Sequence, residues 1–376
     1  MDVNVALAQW SNLLIYSAMA VYAIAFIIYA FDLFGPAFAG DTQKADKESG
    51  GTADSQADRT DDPSIGAKSV NRTAGSRTES TAAAAGPGSA ATAVLDDGDR
   101  PVDGTRDGGM GSGGAEDDGH ADASTPDLRR WARAGTALTV LATAFLLGAI
   151  VTRTLAVMRV PWSNMMEYAL IASAIAAVAY LVLLKFRDFR YLGTFVTFSV
   201  LLVLGLCITV FHTPAAQIIP ALDNYWIWIH VPIAILSTVL LYLSAIIALV
   251  QILRSRSESK PWRGPLRFIN ALPGSKELEK ASYRFAAVGF VTWTFTLVAG
   301  AYWAEIAWGR YWGWDSKEIW TFVVWVVYAA YLHARATRGW TPTRVAVLNL
   351  IGIASVIFNF SVVNLYFNGL HAYAGV

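Results

Sequence analysis

Residues 303–320, WAEIAWGRYWGWDSKEIW, set five tryptophans between two long apolar runs, and their reading decides what kind of protein this is. An aromatic belt at a membrane interface ordinarily supplies one or two rings per helix end. Five rings in eighteen positions, punctuated by Gly309 and Gly313, point to a surface that holds something flat and apolar. An unusually rich belt is the plainer alternative. On either reading the runs beside it belong in a bilayer.

The rest of the composition agrees. The chain has 376 residues and is 55% hydrophobic, with a mean hydropathy of +0.40, although about a quarter of its length is strongly polar. The remainder must then be very apolar, as in a polytopic membrane protein. Eight segments are long enough to cross the hydrocarbon core as helices, at about 12–34, 133–152, 164–184, 191–211, 227–252, 285–304, 318–336 and 345–366. Helices are required there because no other open structure satisfies its backbone in lipid. The first run is too long for a signal-peptide core and has no basic residues before it, so it reads as a retained helix.

Net charge is zero, but residues 41–126 hold 17 acidic and 8 basic side chains, which leaves the rest of the chain basic. That segment has no Phe, Trp or Tyr and is built from Gly, Ala, Asp, Ser and Thr. It cannot bury enough apolar area to offset its ordering entropy, so 41–128 reads as a disordered linker. The organisation expected is an N-terminal transmembrane helix in 1–40, this acidic linker, and a seven-helix membrane domain in 129–376. Seventeen Lys and Arg fall on one side of an eight-helix arrangement and four on the other, Arg153, Arg159, Arg310 and Lys317. The first side, with the linker, should be cytoplasmic, and both termini and the tryptophan loop extracytoplasmic.

Several chemistries are excluded or disfavoured. Cys207 is the only cysteine, so there is no intrachain disulfide, no paired-thiolate metal site and no C-x-x-C-H of a c-type cytochrome. No phosphate-cradling glycine motif is present, and nothing points to nucleic acid.

Histidine is the informative residue. His230, in NYWIWIHVP, opens the fifth apolar segment, and His371, in NLYFNGLHAYAGV, follows the eighth, both on the side of the tryptophan loop. A histidine there is ordinarily a polar ring at a wet boundary, but two flanking an aromatic surface weaken that reading. His333 lies at the far end of the seventh helix, about 27 Å from Asp315 at about 1.5 Å per residue, so one ligand cannot touch both. Its neighbours Ala329, Ala330 and Ala336 leave room beside the ring, although hydrogen bonding to an adjacent helix is a live alternative. Imidazole is the commonest metal ligand, and an iron-centred planar group suits tryptophans and small residues together. Zinc would need three or four clustered ligands, whereas haem needs only two axial ones. His230 and His371 can supply both at an outer site. His333 offers one at an inner site; His212 is the internal candidate for the second but falls at the outer end of the fourth segment, so another chain is the better source. Asp315 and Glu318 are spaced as a capping box for helix seven. Arg310 could pair with a ligand carboxylate or with Asp315 or Glu305.

These motifs resemble a known family, the CcsA or ResC subunit of the two-component bacterial and plastid cytochrome c synthase. WAEIAWGRYWGWDSKEIW is similar to its signature, and YLHARATRGW, VNLYFNGLHAYAG, NYWIWIHVP and VPWSNMMEY are similar to its flanking blocks in order, together covering most of 135–376. Ser316 departs from the proline usual after the aspartate, with little consequence in a first helical turn. The resemblance implies a multi-pass protein of the plasma (inner) membrane that binds haem b as substrate. Trp303, Trp308, Trp312, Trp314 and Asp315 would form the haem surface, His230 and His371 the outer axial ligands, and His333 one inner ligand. It further implies a CcsB/ResB-type partner subunit supplying the other inner ligand, and apocytochrome c as acceptor of thioether-linked haem. No side chain is implied as acid or base, and a haem exporter that only delivers haem shares the signature loop.

Overall fold

The computed structural model of the chain describes residues 3–50 and 128–371, apart from 187 and 219. Among them there is no strand. The elements are α1 (Val5–Gly50), α2 (Leu128–Val157), α3 (Met165–Phe186), α4 (Gly193–Thr209), α5 (Ile227–Ser259), α6 (Ser275–Trp308), α7 (Ser316–Ala336), α8 (Pro342–Phe360) and the single turn α9 (Val362–Tyr366), with short 3-10 turns at Arg190–Leu192, Pro220–Leu222 and Gly264–Ala271. Eight helices are long and apolar enough to cross a membrane, as expected, and this is a multi-pass membrane protein. Of the stretch read as linker, residues 41–50 continue α1, and 51–127 lie outside the described residues together with His120.

The helices overrun the apolar segments that announce them. α6 begins at Ser275 and continues to Trp308, where Gly309 at φ +68° closes it in the left-handed conformation that glycine adopts without cost. The tryptophan stretch is therefore mostly helical: Trp303 and Trp308 sit on the last turns of α6, Trp320 on the first turns of α7, and only residues 309–315 form a loop.

Two packed cores share α5. One joins α1–α4 to α5 through Tyr22, Leu146, Met166, Tyr180, Leu204 and Ile247. The other joins α5 to α6, α7 and α8 around Leu241, Trp293, Tyr328 and Val356. In lipid the hydrophobic effect does not press helices together, so close contact and interhelical hydrogen bonds must do so. Tyr22 pairs with Thr143 and Tyr29 with Thr136, each at 2.8 Å, which docks α1 onto α2. At Gly289 a Cβ would come within 2.7 Å of Leu241, and the Ser237 hydroxyl donates to the Gly289 carbonyl at 2.7 Å, so α5 and α6 nearly touch. Asn349 of α8 donates to Ser244 of α5 and Ser282 of α6 at 2.7 and 3.0 Å. Bonds of this kind contribute on the order of 1 kcal/mol each.

Candidate functional site

At the end of the bundle where α6 meets α7, a cavity of about 230 Å³ opens between α3, α5, α6, α7 and α8. Its lining is predominantly apolar and aromatic, with His230, His371, Lys317 and Glu318 as its titratable groups apart from tyrosines.

His230 occupies the first turn of α5, its amide bonded to the Trp226 carbonyl at 2.8 Å. The ring lies against α6 where residue 300 has no side chain: a Cβ on Gly300 would fall 2.8 Å from His230 Cε1. Trp303 stands edge-on to the same imidazole at 5.6 Å between ring centroids. His230 Nδ1 is buried and has no hydrogen-bond partner, and the same holds for Trp303 Nε1. Each orphaned polar atom in a native interior carries a desolvation cost, so an occupant that engages them stabilises the site.

His371 arrives from beyond α9. Its Nδ1 is 2.5 Å from Asp315 Oδ2, and its ring is edge-on to Trp308 at 4.8 Å. The hydrogen bond from His371 is the largest influence holding the Asp315 carboxyl below its usual range. A carboxylate fixing one imidazole nitrogen leaves metal ligation to Nε2 and raises its basicity, the usual support for a ligating histidine. Asp315 is also the N-cap of α7 in a capping box with Glu318, so the same carboxylate starts a helix and orients a ring. Gly369 permits this approach, since a Cβ there would fall 2.0 Å from Asp315 Oδ1.

Glu318 folds the loop. Its Oε2 accepts from the Gly313 and Asp315 amides at 2.8 and 3.0 Å, while Arg310 lies 4.0 Å from Oε1. Arg310 passes over the bare Cα of Gly313, where a Cβ would overlap the guanidinium. Between the two anchored amides Trp314 takes φ +58°, a conformation that costs a non-glycine residue about 1–3 kcal/mol and persists where surrounding bonds enforce it.

Trp303, Trp308 and Trp312 thus line one cavity with His230 and His371. Trp314 does not: it is 70% exposed, with its ring 5.8 Å from Trp312. Asp315 acts from behind, through His371. His333 is elsewhere, exposed near the end of α7 with Val326 and Ala330 also exposed, and His212 is exposed after α4.

Several cavity residues had no sequence reading of their own. Trp162, Ser163 and Asn164 come from VPWSNMMEY, and Trp293, Lys317 and Thr321 complete the wall. The loop carrying Trp162 is held by Glu167, buried on α3, which takes Arg153 at 3.1 Å and Arg159 at 3.0 Å. Charged residues inside apolar helices, Arg153 and Glu167, were the signal that could have found this clamp.

A haem fits the donor set. Among the described residues no three His, Cys, Asp or Glu gather as a metal cluster. Two imidazoles on one aromatic cavity suit a metal whose other four ligands come with it, as in haem.

A family model described as cytochrome C assembly protein matches residues 162–371. The chain belongs to that family. The match runs from Trp162 to His371, both of which line the cavity, and it leaves α1 and α2 outside. Among curated proteins, a cytochrome c biogenesis protein CcsA of Prochlorococcus marinus is 34% identical over 180 residues, covering 42% of this chain and 57% of that one. CcsA of Chlamydomonas reinhardtii is 35% identical over 159 residues, 42% of this chain and 43% of that one. CcsA of Guillardia theta is 36% identical over 172 residues, 42% and 57% respectively. The chain thus matches a little over half the length of the first of these relatives. Among solved structures, a cytochrome c heme lyase, CcmF, aligns with a TM-score of 0.49 at 17% identity, over 65% of this chain and 43% of that one.

Proposed function

We propose that this chain works in cytochrome c biogenesis by holding haem b at the outer face of the plasma membrane and presenting it for covalent attachment. The observation that carries the reading is the convergence of His230 and His371, 141 positions apart in sequence, on one cavity walled by Trp303, Trp308 and Trp312. His230 and His371 are the axial ligands, and Asp315 keeps the His371 ring in the orientation that offers Nε2. The cavity, at about 230 Å³, is smaller than the about 300–1,000 Å³ of sites that engulf a ligand, so an edge of the macrocycle stays outside. That edge is where the two thiols of an apocytochrome C-x-x-C-H add across the haem vinyl groups, each forming a thioether, while the incoming histidine displaces one of the chain's ligands. The contribution of this chain is placement and exclusion of water, with no side chain acting as acid or base.

The distribution of Lys and Arg supports an outward cavity, outward termini and a cytoplasmic linker. The acidic composition of 41–128 supports a disordered tether between α1 and the seven-helix domain. His333, exposed on α7, is one ligand of an inner haem site whose second imidazole comes from a CcsB/ResB-type membrane subunit, and haem passes from that site to the outer one.

The experiment is co-expression with a partner subunit and a reporter cytochrome. His230→Ala and His371→Ala should each abolish maturation, with recovery on added imidazole. Undiminished maturation without imidazole would overturn the ligand assignment. A complex that retains bis-imidazole haem yet forms no thioether product when purified would favour delivery alone, the role of a haem exporter.

A further inference from the structure

Among the described residues, Arg153, Arg159, Arg310 and Lys317 stand at the end of the bundle that carries the tryptophan loop, and the three arginines face carboxylates. Arg153 and Arg159 share Glu167, and Arg310 lies 4.0 Å from Glu318. Lys317 differs. Its Nζ donates to the Asn359 carbonyl at 2.8 Å and to Asn364 Oδ1 at 2.9 Å, both neutral acceptors. Both acidic neighbours in sequence are engaged elsewhere: Glu318 accepts from the Gly313 and Asp315 amides with Arg310 beside it, and Asp315 has its carboxylate committed to His371 and to the first turn of α7. An ammonium carries three donors, so one remains after the two asparagines. The side chain is half-buried in the wall of the cavity, which Thr321, Val356, Asn359 and Phe360 also line. A lysine in an apolar wall with no ion pair among the described residues is unusual, because charge taken from water is ordinarily paired.

We propose that Lys317 is the anion-reading residue of this cavity and binds a carboxylate on the periphery of the ligand held by His230 and His371. The inference rests on the haem reading above, since haem carries two propionates on one edge and two vinyl groups away from them. Seating a propionate on Lys317 would fix the rotation of the macrocycle in its own plane. Two axial imidazoles cannot do that, because iron ligation has no preference about the Fe–N axis. Rotation decides which edge is left outside for the acceptor thiols. Arg310 is the weaker candidate, since Glu318 already faces it.

The test uses the full chain in detergent, titrated with haem and with haem dimethyl ester, and in parallel with iron-free protoporphyrin IX and its dimethyl ester. The native chain should prefer each free acid by at least about tenfold, the size of one hydrogen bond to a charged group. Lys317→Met should cut the preference below about threefold by weakening the acid and leaving the ester unchanged, and Lys317→Arg should keep it. Asn364→Ala, which removes a neutral acceptor and keeps the charge, should also retain it and supplies a reading if Lys317→Met does not fold. A native chain that binds acid and ester equally while showing an axial bis-imidazole spectrum overturns the inference and leaves the haem reading standing. Equal loss of acid and ester in Lys317→Met and Lys317→Arg shows a strut between α7 and α8, which also overturns it. A native chain that binds neither porphyrin removes the haem reading first.

Discussion

The outer histidines and His333 make an instructive pair of regions, because all three are imidazoles in a membrane protein and only two are furnished. His230 has a glycine to lie against and a tryptophan edge; His371 has a carboxylate and a tryptophan edge. His333 has an exposed flank of small and branched residues and no side-chain support from its own chain among the described residues' bonds. On the proposal above, the supported pair forms a site that one chain completes. On the same proposal, an imidazole on an open helix face, such as His333, belongs to a site completed by a second chain.

Removing both outer ligands should have the largest effect: His230→Ala with His371→Ala should reduce the outer haem signal to that of a chain-free control, and any residual bis-imidazole spectrum would erase the contrast. Next, Asp315→Asn keeps the cap and weakens the charge behind His371, so haem affinity at the outer site should fall by about 10–100-fold with His371 still present. Absorbance titration measures it, and unchanged affinity would mean the carboxylate serves only the helix. Gly300→Ala places a Cβ 2.8 Å from the His230 ring, and the displaced ligand should cost about 1–3 kcal/mol of outer-site affinity with helicity by circular dichroism unchanged. His333→Ala should leave the outer-site spectrum of the isolated chain unchanged and remove one haem component only when the partner subunit is present. The smallest effect belongs to Trp314→Phe: with the ring 70% exposed, outer-site affinity should move less than about twofold, whereas Trp308→Ala should weaken it.

The spans were legible because a bilayer makes length and apolarity nearly sufficient to specify a helix. Their ends were not. α6 starts ten residues before its apolar run because residues 275–284 form an amphipathic extension with Leu278 and Ser282 buried. Trp303 and Trp308 read as loop residues because tryptophan says interface and not whether the backbone there is helical. His230 and His371 could be named from position and company and Glu318 as the capping partner of Asp315, yet Gly300 and Lys317 could not, since their roles exist only where α5, α6, α7 and the segment after α8 meet. Trp314 shows the converse: it shares the motif's composition and misses the cavity, because Glu318 holds the amides on either side of it and turns the ring out.

The hydrogen bond between His371 and Asp315 also sets a clock. A ribosome releases this chain from its N-terminus, so His230, the tryptophans and the first turn of α7 exist before the residue that closes the cavity. His371 follows the eighth span and α9, and the carboxylate that receives it caps the start of α7. On the proposal above, both imidazoles are available to iron only once His371, which follows the eighth span, has been made. Loading of the proposed outer site would thereby be tied to completed synthesis of the eight spans.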